Sequence, residues 1–232
     1  TMTVQLRGND PMRRVLLAAA CAVLLLPAFR QPAAAKRTLT IALREDADLL
    51  DPDLGQTYVG RIVFAGLCDK LVDINEKLQI VPQLATSWEY TDPKTLVMHL
   101  RTGVAFQDGE PLDAAAAKYS LMRAATLPGS LRRSEISAMD HVDVVDPHTI
   151  RIVLKQPSAP FLSQLADRAG MMVAPKAAET EGKSFGLKPV CTGPFRFAER
   201  VPEDHITLER FPDYWNKSAI HFDKVVYRVI TD

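Results

Sequence analysis

Residues 82–112 decide the fold: they begin Pro82-Gln83-Leu84-Ala85-Thr86-Ser87-Trp88-Glu89 and end Leu100-Arg101-Thr102-Gly103-Val104-Ala105-Phe106-Gln107-Asp108-Gly109-Glu110-Pro111-Leu112. Between these two quotations lies Asp92-Pro93-Lys94, a turn sequence in which proline pre-sets the backbone φ angle. The turn separates two predicted strands, 87–90 and 95–101. In the second strand the apolar side chains alternate, which predicts one buried face made of Leu96, Met98 and Leu100.

A second hairpin repeats this design further along the chain. Residues 142–145 precede the turn Asp146-Pro147-His148, and the next strand again alternates, with Ile150, Ile152 and Leu154 on one face. Between the hairpins, Asp113 is a favourable N-cap for an alanine-rich helix over residues 114–125. The middle of the chain is therefore predicted to be two hairpins with a helix between them.

The flanking segments predict further strands and helices. Thr57 is positioned to cap a helix from Val59 to about Lys70, and residues 161–166 predict a short helix after Pro160. Residues 171–174 predict a buried strand that Pro175 ends. Other predicted strands cover residues 39–43, 71–74, 78–81, 195–199, 205–211 and 224–230.

The N-terminus has the pattern of an export signal. Met12-Arg13-Arg14 is followed by twelve uninterrupted apolar residues, 15–26, and then by Ala33-Ala34-Ala35, a possible cleavage site. A run of twelve is too short for a membrane-spanning helix, which needs about 20 apolar residues. We therefore predict that residues 1–35 are an N-terminal extension and signal peptide, and that the protein works in the periplasm.

Composition and motifs exclude several function classes. The formal net charge is zero, so the basic surface expected of a nucleic-acid-binding protein is missing. The sequence contains no phosphate-binding glycine loop, no G-x-S-x-G and no H-E-x-x-H. The five histidines are scattered, without the spacing of metal ligands. We therefore expect no enzymatic activity, no metal site and no cofactor.

The quoted stretch resembles the segment typical of the large solute-binding proteins of peptide, nickel and glutathione ABC importers (solute-binding protein family 5). The resemblance recurs at Lys188-Pro189-Val190-Cys191-Thr192-Gly193-Pro194-Phe195 and at Phe211-Pro212-Asp213-Tyr214-Trp215, in the order found in the family. It spans roughly residues 38–232. At residue 191 the family commonly has glycine, and a cysteine there would be strained if its φ angle were positive.

This resemblance implies an α/β fold of the type II periplasmic-binding kind. Residues 36–56 and 174–232 would form the sheet-bearing part of the first lobe, which has a mixed sheet, and residues 57–173 an inserted α+β subdomain. Family members run to roughly twice this length, so we expect a truncated chain whose second lobe is missing. In this family two lobes close over a solute and exclude water from it.

The resemblance also implies candidate ligand-binding residues. The loop after the first strand lines the cleft in relatives, and the matching positions are Gln56, Thr57 and Tyr58. Arg168 matches a basic residue that faces the pocket in nickel-type relatives, where a guanidinium would suit a ligand carboxylate. The alternatives are helix capping by Thr57 and a surface position for Tyr58. For Arg168 they are a salt bridge to Asp167 or a solvated position in a loop.

Two further arginines follow the turn at Pro128-Gly129-Ser130. Arg132 and Arg133 are a second, weaker pair of candidates for the cleft wall. Trp88 and Trp215 are expected in the core rather than against a ligand.

Two cysteines remain after the predicted cleavage, Cys68 and Cys191. An oxidising compartment would allow a disulfide, but sequence gives no distance between the two Cα atoms. We expect two isolated, buried thiols.

The function predicted on these grounds is the capture of a short peptide or a similar small solute, dipeptide- or glutathione-like. A monomeric binding protein would deliver it to an ABC permease in the inner membrane. The alternatives are a nickel-chelate-binding, heme-binding or chaperone-like module on the same fold.

Overall fold

The computed structural model describes residues 36–231, and the predicted leader lies outside the described residues. Within this part of the chain the strands form two four-stranded sheets and one two-stranded ribbon. The strands are β1 (Thr38–Leu43), β2 (Val72–Ile74), β3 (Ile80–Pro82), β4 (Ala85–Asp92), β5 (Thr95–Leu100), β6 (Met139–Asp146), β7 (Thr149–Leu154), β8 (Phe195–Val201), β9 (His205–Arg210) and β10 (Lys224–Val229). The α-helices are α1 (Tyr58–Leu67), α2 (Ala114–Thr126), α3 (Phe161–Gln164) and α4 (Pro175–Glu181).

The first four-stranded sheet is mixed and has the order β1-β10-β9-β8. Strands β1 and β10 run parallel, whereas β10, β9 and β8 are joined by antiparallel pairs. The parallel pair aligns Thr38 with Lys224, so it brings together segments from opposite ends of the described chain. The predicted strands at 39–43, 195–199, 205–211 and 224–230 are confirmed, and the sheet is mixed as expected.

The second sheet is antiparallel, with the order β4-β5-β7-β6. It consists of the two predicted hairpins, joined side by side through β5 and β7. Leu96, Met98 and Leu100 are all buried, as their alternation predicted. Helix α2 covers this face and begins at the predicted cap, because the Asp113 carboxylate accepts a hydrogen bond from the Ala116 amide at 2.8 Å.

Each four-stranded sheet has its own hydrophobic core. The core beside the antiparallel sheet includes Leu96 and Phe106, and the core beside the mixed sheet includes Leu208 and Tyr227. Helix α1 packs into the mixed-sheet core through Val63 and its neighbours. The division into 36–56 with 174–232 and 57–173 stays a prediction, and the packing of α1 favours moving its first boundary beyond Leu67.

The strand predicted over residues 171–174 is wrong. All four residues are buried, but they form only two isolated bridges, Lys70 to Met171 and Val173 to Cys191. The Met172 amide donates to the Asp69 carbonyl, whereas the Ala174 amide donates to the Val190 carbonyl. Because the segment changes partner midway, it builds no continuous ladder with either neighbour.

The prediction of two isolated thiols is also wrong, because Cys68 and Cys191 form a disulfide. Their Cα atoms lie 4.9 Å apart, although 123 positions separate them in the sequence. Cys68 directly follows α1, whose helical hydrogen bonding ends with the Cys68 amide donating to Phe64. Cys191 is not among the residues with positive φ, so the cysteine is accommodated there without backbone strain.

The Gln107 side chain joins the quoted stretch to the Cys191–Phe195 segment. Its Nε2 atom donates to the carbonyls of Leu67 (2.8 Å), Gly193 (3.2 Å) and Phe195 (2.8 Å). Its Oε1 atom accepts from the Cys191 amide at 2.9 Å. A Cβ atom on Gly193 would lie 2.5 Å from the Leu67 carbonyl carbon, so this junction requires glycine.

Two side chains of the third matching segment, 211–215, bind the buried carboxylate of Asp69. Trp215 Nε1 donates to Asp69 at 2.8 Å, and the Tyr214 hydroxyl donates to the same carboxylate at 3.3 Å. The Arg101 guanidinium lies over the Trp215 ring, 4.0 Å from its centroid. These contacts give Trp215 a structural position, as expected, and Trp88 also packs against the core.

Candidate functional site

The predicted segment Gln56–Tyr58 forms the start of helix α1. Thr57 is the N-cap, and its hydroxyl accepts a hydrogen bond from the Gly60 amide. The Asp48 carboxylate receives the Gln56 amide at 2.7 Å and the Thr57 hydroxyl at 2.9 Å. The capping alternative for Thr57 therefore applies, while Tyr58 is 66% exposed and Gln56 is exposed too.

Two of the predicted arginines contact the backbone carbonyl of Gly55, the residue that precedes this segment. Arg168 Nη1 donates to the Gly55 carbonyl at 2.7 Å, and Arg132 Nη2 reaches the same oxygen at 3.4 Å. Both side chains are buried. The Gly55 carbonyl therefore contacts Arg132 and Arg168, and Gly55 directly precedes Gln56, Thr57 and Tyr58 in the chain. We call Gly55 and these five residues the Gly55 cluster.

The Gly55 cluster keeps unused hydrogen-bond donors. The Nε atoms of Arg132 and Arg168 are both buried and have no protein partner. Burial lowers the pKa of Arg168 from its ordinary value, and the neighbouring charges of Arg132 and Arg61 lower it further. Because neighbouring positive charges lower the pKa of Arg168, positive charge is concentrated at this position. A negatively charged group nearby would reduce the repulsion between these charges.

Two acidic side chains partly balance this charge. Arg61, one turn into α1, pairs with Asp167 at 2.5 Å, and both remain substantially exposed. Arg132 pairs with Glu135, whose pKa burial raises although Arg132 opposes the shift. Three guanidinium groups thus face two carboxylates. The arrangement favours a ligand that carries a carboxylate.

The structure separates Arg133 from the Gly55 cluster. Arg133 is exposed, and its guanidinium donates to the carbonyls of Ala125, Thr126 and Leu127 at the end of α2. A basic side chain at a helix C-terminus satisfies free carbonyl groups. Arg133 therefore has a local structural role, and Arg132 is the member of the pair that joins the cluster.

A salt bridge from Arg168 to Asp167 is not formed, because Asp167 pairs with Arg61 instead. Sequence reasoning missed Arg61 because it treated α1 only as a capped helix. Its spacing of three residues from Tyr58 was a usable signal, since residues three apart lie on one helix face.

The sequence analysis also missed a buried ion-pair network that involves the turn preceding Gly55. Arg123 of α2 binds Asp51 through two hydrogen bonds, of 3.0 and 2.7 Å, and also binds Asp53. All three residues are buried. Burial raises the pKa of Asp53 to about 7 against the opposing charge of Arg123, while Asp51 adds to the rise.

Over residues 36–231, no three His, Cys, Asp or Glu side chains are grouped so as to hold a metal ion. Within the same part of the chain, none of the helices has the length and apolar character needed to cross a bilayer.

The chain matches a family model described as bacterial extracellular solute-binding proteins, family 5 Middle, over residues 79–232. The chain belongs to this family. The resemblance noted in the sequence is thereby confirmed, and members of family 5 are solute-binding proteins of ABC importers rather than a class defined by catalysis.

Among curated relatives, the glutathione-binding protein GsiB of Salmonella paratyphi A is 32% identical over 203 residues, which cover 87% of this chain and 40% of GsiB. Among solved structures, AgaA of A. tumefaciens R10 in complex with agropinic acid has a TM-score of 0.78 and 29% identity, covering 83% of this chain and 40% of AgaA. A nickel ABC transporter structure from Bacillus halodurans has a TM-score of 0.74 and 30% identity, covering 85% of this chain and 39% of that one.

These neighbours show that the family 5 chain has the type II periplasmic-binding-protein fold, as the resemblance implied. The chain spans about 40% of the length of the glutathione-binding relative.

Proposed function

We propose that the chain is the periplasmic solute-binding component of an ABC importer and takes up a short peptide or a similar small anionic solute, dipeptide- or glutathione-like. It acts as a monomer and passes the solute to a permease in the inner membrane. One observation carries the choice of solute: Arg132 and Arg168 converge on the carbonyl of Gly55, which directly precedes the exposed residue Gln56.

The arginines of the Gly55 cluster are suited to a ligand carboxylate. Arg132 and Arg168 are held by the protein itself, so binding does not have to order them. Their charges act through a poorly solvated interior, where electrostatic attraction is stronger than in water. Arg61 is not a member of the cluster, but 46% of its side chain is exposed, so it can contact a ligand directly from the neighbouring surface.

The acidic partners add a second recognition element. Asp167 keeps 34% of its side chain exposed beside Arg61. A zwitterionic ligand, with a carboxylate and an ammonium group, would find opposite charges at adjacent positions on this surface. Short peptides and glutathione have both groups.

Two similarities support an acidic solute. The relative GsiB is named for binding glutathione, and AgaA was solved with agropinic acid. The similarity to the nickel ABC transporter structure favours a second candidate, a nickel chelate. In that case the arginines would hold carboxylates of the chelator, and the metal would need no ligands from this part of the chain.

We expect the chain alone to bind weakly. These 232 residues match about 40% of the length of GsiB, and a ligand that contacts only part of a binding protein keeps water on its other side. Each tenfold loss of affinity corresponds to about 1.4 kcal/mol.

The test is a titration of the full chain with glutathione, with L-alanyl-L-alanine and with the C-terminal amide of that dipeptide. Calorimetry and heteronuclear NMR measure the binding. We expect sub-millimolar to millimolar binding, with the free acid preferred over the amide. Equal binding of acid and amide would contradict the carboxylate proposal, and micromolar or tighter binding would contradict the weak-binding expectation. A preference for a nickel chelate over the peptides would support the second candidate.

A further inference from the structure

A chain of contacts leads from helix α2 to the carbonyl that holds both cluster arginines. It begins at Arg123, whose guanidinium grips the Asp51 carboxylate with two parallel hydrogen bonds and also contacts Asp53. The guanidinium carbon of Arg123 lies over the Phe185 ring, 5.1 Å from the ring centroid. A planar guanidinium with two hydrogen bonds to one carboxylate fixes orientation as well as distance, which lysine cannot do.

The next step is the turn at residues 51–55. The Asp51 side chain accepts the Asp53 amide at 3.0 Å, and the Asp51 carbonyl accepts the amides of Leu54 (3.1 Å) and Gly55 (2.8 Å). Asp51 therefore organises the turn through both its carboxylate and its backbone. Gly55 fits closely, since an added Cβ atom would lie 3.0 Å from the Leu49 carbonyl oxygen.

The turn then sets the position of both arginines. Gly55 presents its carbonyl to Arg168 Nη1 and Arg132 Nη2. The Asp53 carbonyl also accepts the Leu131 amide at 2.9 Å, which ties the residue before Arg132 to the same turn. Displacing the turn would move the acceptor of Arg168 and the backbone next to Arg132 together.

We propose that Arg123 is a positioning residue for ligand recognition: through Asp51, Asp53 and the Gly55 carbonyl it sets the orientation of Arg132 and Arg168. Arg123 itself does not contact the solute. The inference rests on the proposed function, because it assumes that these two arginines recognise a ligand carboxylate.

The test compares Arg123→Lys and Arg123→Met with Arg168→Ala and the wild-type chain. Arg151→Lys and Arg151→Met are matched controls, because Arg151 forms an exposed pair with Asp143 on the antiparallel sheet. Each full chain is titrated with L-alanyl-L-alanine and with its C-terminal amide, and folding is checked by circular dichroism. The readout is the ratio of the two affinities, which a general loss of stability does not change.

We expect both Arg123 variants to lower the preference for the acid about tenfold while amide binding stays the same, since small displacements of a supporting group weaken a site. The Arg151 controls keep the preference. If Arg168→Ala loses the preference and folded Arg123 variants keep it, the positioning role is overturned while the proposed function stands. If the wild type shows no preference, the proposed function fails and the positioning role with it.

Arg123→Met leaves two buried carboxylates without their partner, so this variant is the one at risk of not folding. Arg123→Lys then decides, because it keeps the charge and loses the two-pronged geometry. Failure of both variants to fold would assign Arg123 a purely structural role and overturn the proposal.

Discussion

The Arg168 guanidinium and the Gly55 carbonyl form a hydrogen bond of 2.7 Å across 113 positions of sequence. This contact joins the loop before α1 to the segment that follows α3. It places a buried positive charge next to the exposed start of α1. The same carbonyl also contacts Arg132, so one backbone oxygen orients two cationic side chains.

Arg168→Ala should weaken binding of a carboxylate-bearing ligand by about 1.5–3 kcal/mol, the contribution of a hydrogen bond to a charged group. The measurement is an NMR titration of the full chain with L-alanyl-L-alanine. Arg133→Ala is the matched control, because Arg133 contacts only carbonyls at the end of α2 in this structure. Unchanged affinity in Arg168→Ala would remove Arg168 from the site.

Local structure followed from short-range patterns. The alternation of Leu96, Met98 and Leu100 and the cap at Asp113 depend on neighbouring residues, and the corresponding elements were confirmed. By contrast, the pairing of Arg123 with Asp53 spans 70 positions and the disulfide spans 123. Nothing in local periodicity selects such partners, which explains why the buried network was missed and the cysteine prediction was wrong.

The ligand-site residues could be predicted from the sequence only in part. Resemblance to the family named Gln56–Tyr58 and Arg168, and the turn at residues 128–130 pointed to Arg132 with Arg133, all without any distance. The structure joins Arg132 and Arg168 at the Gly55 carbonyl. Their contact with a solute stays a prediction. Arg61 was not named, because α1 was interpreted only as a capped helix and the spacing of Arg61 from Tyr58 was not used.

The disulfide between Cys68 and Cys191 should contribute about 2–5 kcal/mol to the free energy of unfolding, since it closes a long loop in the unfolded chain. Denaturant unfolding with and without reductant measures this contribution. Reductant should destabilise the wild type and leave the Cys68→Ala/Cys191→Ala variant unaffected. Cys21→Ala should respond to reductant as the wild type does. Alkylation of both cysteines in denatured, unreduced protein would contradict the disulfide.

Asp53 should make the protein less stable as the pH rises from about 4 to about 7. Burial raises the native pKa of Asp53 to about 7, although Arg123 and Arg132 oppose the rise and Asp51 adds to it. In the unfolded chain the carboxyl releases its proton near pH 4. Between these values the native state holds a proton that the unfolded state has lost, so the free energy of unfolding falls with rising pH.

Asp53→Asn should flatten this pH dependence, which urea unfolding at about pH 5 and about pH 7 would measure. A residual slope is expected from Asp69, whose pKa burial raises to about 6. Asp92→Asn is the control, because hydrogen bonds from Thr95 and Lys94 lower the pKa of this exposed group and place its titration below the window. An unchanged slope in Asp53→Asn would show that Asp53 is ionised in the native state throughout.

Gln107→Glu should destabilise the protein by roughly 2–4 kcal/mol, because it removes the donor that serves three carbonyl groups. The replacement keeps the size of the side chain and places a carboxylate against oxygens that can only accept. Its remaining favourable contact is the Cys191 amide, which donated to Gln107 Oε1.

The loss should be visible as a lower midpoint in thermal and denaturant unfolding. Gln79→Glu is the matched control, since Gln79 is exposed and its Oε1 accepts from Asn75 in a surface turn. Gln107→Glu should also become more stable at low pH relative to the wild type, because a protonated carboxyl regains one donor. Equal stability of the two variants at neutral pH would contradict this role. The four hydrogen bonds of Gln107 would then not stabilise the junction between residues 82–112 and the Cys191–Phe195 segment.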